Sequence, residues 1–180
     1  AAALRKCSEA QAWANRALKF DRGQAILTDA AFALVLCGNS AEPIIAELKE
    51  KYPKNTVVNS IWLPLVRAAG EIETSPDRAL ETLEINRQSE GGSYFWDNYL
   101  RGKAYLKIRK PDLAAGEFQK IVQNRGWAVQ SPLFALAHRE LSRIYTAQNN
   151  AENAKKYGDQ FALLWKNADL DLPVLKENAD

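Results

Sequence analysis

Leu100-Arg101-Gly102-Lys103-Ala104-Tyr105, a stop at Lys110-Pro111, and then Ala114 and Phe118 decide the fold. On a helix, Gly102 offers no side chain, so a second helix can approach closely there. Tyr105 lies three residues on, on the same face, and fills the gap. Ala114 and Phe118, four apart on the next helix, close the pair. A turn this short forces the two helices to run antiparallel. The setting recurs upstream. Phe118, Leu83, Leu48 and Trp13 stand 35 residues apart, and Ala114, Ala79 and Ile44 form a second ladder at the same spacing. Self-similarity at roughly 20–50 residues is the mark of a solenoid, in which each unit stacks on its neighbours.

The rest of the chain is read from its punctuation. Arg22-Gly23, Gly38-Asn39, Tyr52-Pro53, Ser75-Pro76, Gly91-Gly92, Lys110-Pro111, Gly126, Ser131-Pro132 and Asn149-Asn150 break the apolar periodicity. Between them the pattern predicts about nine helices, over 3–20, 24–37, 41–52, 56–73, 77–88, 94–108, 112–124, 132–147 and 151–167. No alternation indicates strands. Asp77, Asp112 and Ser131 are placed to cap helix starts. Pro64 removes a backbone donor inside 56–73, so that helix should kink or start late.

The expected fold class is all-α, a right-handed superhelix of antiparallel helix pairs forming one domain over 1–180. The repeats are 24–52, 56–88, 94–124 and 132–167. The helix 3–20 reads as the second half of a repeat, with Trp13 in the slot of Leu48, Leu83 and Phe118. Its unpaired apolar face could support a homo-oligomer. Tyr105 and Tyr145 are 40 apart and Tyr157 stands in for Phe118, so the register slips by about four residues, mainly at 124–131. The tail 168–180 is expected to cover the open end of the stack.

Composition narrows the function. Of 180 residues, 24 are basic and 22 acidic, a net charge of +2 that does not argue for nucleic acid. No stretch approaches ~18 uncharged apolar residues, so no membrane span is read here. Cys7 and Cys37 are the two cysteines. Without a CxxC or a framework they read as small buried thiols. There is no methionine even at position 1, which suggests a piece of a longer protein. The compartment is open: cytoplasmic, or extracytoplasmic if a membrane span precedes residue 1.

The stretch 100–105 with Ala114 and Phe118 resembles the tetratricopeptide repeat. A broader resemblance rests on Tyr99-Leu100-Arg101-Gly102-Lys103-Ala104-Tyr105-Leu106, Glu117-Phe118-Gln119-Lys120-Ile121, Asn124-Arg125-Gly126, Ser131-Pro132-Leu133, Leu163-Leu164-Trp165-Lys166-Asn167-Ala168-Asp169 and Leu172-Pro173-Val174-Leu175-Lys176. These are similar to the C-terminal repeats of bacterial signalling proteins of the acidobacterial type. In that group the repeats follow a serine/threonine protein kinase domain or a CadC-like winged-helix domain. The resemblance implies a regulatory or sensory module that binds a protein partner.

The chain offers little chemistry of its own. It has no kinase glycine loop or metal-binding Asp in the required setting, and no cofactor is expected. His138 is the single histidine, and it reads as a half-buried helix residue rather than the partner of Ser131 or Ser142. Asp169 and Asp171 read as caps of the terminal turn.

The candidate binding surface lies on the first helix of each pair. At ~100° per residue, Trp96, Tyr99, Lys103 and Lys107 share one arc of 94–108, opposite Leu100, Ala104 and Tyr105. Arg101 falls on the core side, where its stem is expected to snorkel outward. Forty residues on, Arg139 and Arg143 match Tyr99 and Lys103. Cations beside aromatic faces suit an acidic peptide. A nucleic-acid partner would want a longer basic stripe.

Overall fold

The computed structural model describes residues 1–84, 93–127, 131–168 and 172–176. These residues form an all-α fold, and none of them lies in a strand. The helices are α1 (Cys7–Phe20), α2 (Gln24–Leu36), α3 (Glu42–Lys51), α4 (Leu63–Glu71), α5 (Pro76–Glu84), α6 (Trp96–Lys107), α7 (Pro111–Gln123), α8 (Leu133–Ala147), α9 (Ala151–Leu164) and a last short turn, α10 (Pro173–Lys176). A 3₁₀ turn, Ala2–Leu4, precedes α1.

The stretch 100–118 folds as its residues dictate. A Cβ added at Gly102 would sit 2.6 Å from the Cε1 and Cζ atoms of Phe118, so α6 and α7 meet where only hydrogen fits. Phe118, Ala114 and Ala104 are fully buried. The last pair swaps these roles. Gly158 on α9 faces Ser142 on α8, whose Oγ is 3.1 Å from the ideal Cβ position. Tyr157 instead stacks on Tyr145, with ring centroids 5.6 Å apart.

One turn recurs along the chain. At the end of α2, Gly38 has φ +75° and the Asn39 N–H reaches back to the Leu34 carbonyl at 3.0 Å. At the end of α6, Arg109 has φ +58° and the Lys110 N–H bonds the Tyr105 carbonyl at 2.9 Å. At the end of α8, Asn149 has φ +58° and the Asn150 N–H bonds the Tyr145 carbonyl at 2.9 Å. All three are helix stops with a left-handed residue and a six-to-one hydrogen bond. Each turns the chain into an antiparallel neighbour.

Pro64 is absorbed by a wider turn. Val58–Trp62 is π-helical, and the Leu63 N–H bonds the Val58 carbonyl. The extra residue in that turn lets Pro64 enter at the start of α4, where its missing donor costs little. At the first repeat, Glu47 accepts hydrogen bonds from Arg22 and from Lys51. Those bonds, Arg22 first, hold its carboxyl down to about 2.

Packing follows chain order: α1 on α2, α4 on α5, α5 on α6, α6 on α7, α7 on α8, and α8 on α9. The first helices of successive pairs also touch, α2 with α4, α4 with α6, and α6 with α8. Two apolar cores result. One runs from Ala14 through Leu27, Leu48 and Leu65 to Ala104, the other from Phe95 through Phe118 and Leu136 to Val174. Trp96 packs against both.

Trp13 lies uncovered, as expected of an unpaired face, and two other expectations change. Leu48, Leu83 and Phe118 are fully buried, whereas Trp13 is 57% exposed. Helix α1 seats the small Ala10 and Ala14 inward, while Trp13 lies on its other face with Arg16 stacked over the ring at 5.5 Å. Arg101 does not snorkel. It is fully buried, with Nε 3.1 Å from Glu117 and Nη2 3.3 Å from Asp97. Cys7 and Cys37 are not thiols but a disulfide, with Cα atoms 5.4 Å apart. The antiparallel packing of α1 on α2 brings the start of one helix to the end of the other. The cap roles of Asp169 and Asp171 lie outside the described residues, as does the end of the predicted helix 77–88.

Candidate functional site

The C-terminal ends of α2 and α4 and the face of α6 that carries Trp96, Tyr99 and Lys103 surround a cleft of about 670 Å³. Two helix ends build it. Gly38, Asn39 and Ser40 form one wall after α2, and Ala69, Gly70, Ile72, Glu73 and Thr74 form another at the end of α4. Trp96, Tyr99, Leu100 and Lys103 supply the α6 wall. The N-terminal turn closes one side with Ala2, Ala3 and Arg5, and Val174 of α10 enters from the C-terminal end. The disulfide partners Cys7 and Cys37 also line it, so the bridge fixes that side of the cleft. Arg5 adds a hydrogen bond from Nη1 to the Leu36 carbonyl at 3.2 Å.

The aromatic residues of α6 belong to a chain of rings. Phe32 meets Trp62 at 6.2 Å and Trp96 at 4.8 Å, Trp96 meets Tyr99 at 6.1 Å, and Tyr99 meets Phe118 at 5.6 Å, all edge to face. These contacts fix Trp96 and Tyr99 in place while leaving both partly exposed to the cleft. Held aromatic rings suit recognition, because little side-chain freedom is left to lose on binding.

The six residues selected by the helical wheel separate into groups. Trp96, Tyr99 and Lys103 line the cleft together. Lys107 is not in its wall, but its Nζ is 2.7 Å from Glu73, which is. Lys103 and Arg143 approach the same carboxylate, Glu140, each at 3.9 Å. Arg139 is buried on α8, 6% exposed, and does not line the cleft. The basic stripe is therefore partly neutralised by Glu73 and Glu140. A helical wheel of α6 singles out neither acid, nor Arg5, the Gly38–Ser40 turn or Val174. Glu140 was legible in principle, being three residues before Arg143.

His138 is 5% exposed, packed against the rings of Phe134 at 4.9 Å and Tyr157 at 5.7 Å. Burial, and then the charge of Arg125, push its pKa below the usual histidine range. Its one-turn neighbour Ser142 donates to the Ala154 carbonyl at 2.9 Å, which makes Ser142 a helix-packing residue. Among the described residues, no group of three or more His, Cys, Asp or Glu could hold a metal ion. No described helix is long and apolar enough to cross a membrane. No family model, curated protein or solved structure matches the chain.

Proposed function

We propose that this chain is a non-catalytic, tetratricopeptide-like interaction module whose inner face takes a peptide segment of a protein partner. The observation that carries the reading is the cleft of about 670 Å³ with Trp96, Tyr99 and Lys103 on one wall. Its size suits a few side chains of a bound segment. The recurring left-handed turns after α2, α6 and α8, and the side-by-side contacts of α2, α4, α6 and α8, support a stack of helix pairs.

The charge pattern sharpens the partner. Lys103 places a cation in the cleft wall beside Trp96 and Tyr99, and Lys107 is held by the lining residue Glu73. Such a site suits a segment with one or two carboxylates beside apolar residues, not a long acidic run. The resemblance to bacterial signalling repeats extends the proposal. The module would then convey partner binding to a serine/threonine kinase domain or to a winged-helix domain. The disulfide is the kind of bond that persists in an oxidising compartment, which supports a position outside the cytoplasm.

An array of 12-residue peptides of varied charge, probed with the full chain, tests this reading. K103Q/R143Q should weaken the best carboxylate-bearing binder about tenfold or more, the size expected for losing charge-assisted contacts. K155Q, on exposed α9, should leave it unchanged. Equal binding by K103Q/R143Q and the unaltered chain would count against the inner face. Binding of single-stranded RNA with a steep salt dependence would replace the peptide reading with a nucleic-acid one.

A further inference from the structure

The tail was expected over the open end of the helix stack, yet α10 lies against the N-terminal turn Ala2–Leu4. Leu172 is 6% exposed and Val174 3%. Both belong to the apolar core that includes Phe118 and Leu136, with Trp96, Tyr99 and Leu4 packed against it. Val174 also lines the cleft beside Trp96, Tyr99 and Lys103. A four-residue helix does not persist alone, so this turn is ordered by its seat. The seat is apolar: the backbone hydrogen bond from the Leu175 N–H to the Leu172 carbonyl, 2.9 Å, lies within the turn itself. Burial of two or three small apolar side chains is comparable in size to the entropy lost in ordering five residues. The seating is therefore weak enough to be exchanged. The free volume of the cleft, about 670 Å³, lies beside the seated Val174, which forms part of its wall.

We propose that Leu172–Lys176 is the chain's own occupant of the apolar seat that adjoins the inner-face cleft, and that a partner entering the cleft displaces it with a segment of the same chemistry. That segment is a short turn opened by proline, with apolar residues at the positions of Leu172, Val174 and Leu175. This rests on the inner-face reading above and adds a competition to it. The tail keeps apolar surface beside the cleft covered until a better-fitting segment arrives, and the affinity measured for any partner is lowered by the fraction of chains whose seat is filled.

A fluorescein-labelled synthetic peptide of residues 168–180 is the probe, and its anisotropy is read against the full chain and against V174D. The charged side chain should unseat the chain's own tail. V174D should then bind the peptide at least tenfold more tightly than the unaltered chain, and a peptide carrying the same Val-to-Asp change should not bind. V174A, which removes only two methyl groups, should fall between the two and serves if V174D loses helicity by circular dichroism. Equal binding by all three chains would overturn the proposal. So would a dimer of the unaltered chain, in light scattering, that V174D converts to monomer, because the tail would then seat in a second copy. If array peptides still bind with K103Q/R143Q sensitivity while the tail peptide does not bind V174D, the tail proposal alone falls. If K103Q/R143Q has no effect on array binding, the inner-face reading falls with it.

Discussion

Replacing Arg101 with methionine should lower stability by about 3–5 kcal/mol, the usual cost of removing one partner of a buried ion pair. The guanidinium is fully buried, and so is Asp97, while the Glu117 side chain is 7% exposed. Arg101 also donates to the Leu83 carbonyl at 3.4 Å. Without it, the fully buried Asp97 carboxylate loses this counter-ion, while Glu117 keeps Lys120 at 3.4 Å. Asn98, which donates to Glu117 at 2.9 Å, cannot neutralise either. For a domain of this size the loss corresponds to a fall in Tm on the order of 10 °C. The triple variant R101M/D97N/E117Q removes all three charges and should recover much of the loss. Calorimetry decides: a drop in Tm below about 3 °C for R101M would show that Arg101 is not the buried counter-ion described here.

The second large effect is redox-dependent. The Cys7–Cys37 bridge closes a loop with a sequence separation of 30. A closed loop of that length restricts the unfolded chain by about 3–4 kcal/mol on the loop-entropy model. Reduction, or C7S/C37S, should lower Tm by on the order of 10 °C and should loosen the N-terminal turn that α10 packs against. Thermal melts with and without reductant, with thiol titration of the native chain, provide the measurement. Two titratable thiols in the oxidised native protein, or melts that coincide, would contradict the bridge.

The architecture was legible because it rests on local signals. Gly102 with Phe118 announced the closest helix contact, and Gly38-Asn39, Lys110-Pro111 and Asn149-Asn150 marked the three recurring turns. The disulfide was hidden by distance along the chain. It could have been inferred from the helices themselves, since two antiparallel helices joined at Asp21–Gly23 bring residue 7 to residue 37. Arg101 was misread because a wheel shows direction and not depth. Its acid partners are Asp97, one turn away, and Glu117, on the next helix, and only the packing of α6 on α7 joins all three.

The candidate site was legible in part. Trp96, Tyr99 and Lys103 share one wall because they share one helix face. Arg139 and Arg143 were joined to them by counting forty residues, and that count carried no information about Glu140 between Lys103 and Arg143. The tail's place was out of reach, because the seat of Val174 combines residues from the N-terminal turn and α6.

Entry of a partner through the inner face is read out by a ¹H–¹⁵N NMR titration of the full chain with the tightest peptide from the array. Shifts are expected at the Trp96 indole, at Gly38–Ser40 and Gly70, and at Leu172–Lys176 as the tail leaves its seat. An unmoved Trp96 indole, with shifts confined to outer residues such as Leu113 and Leu163, would contradict entry through that face.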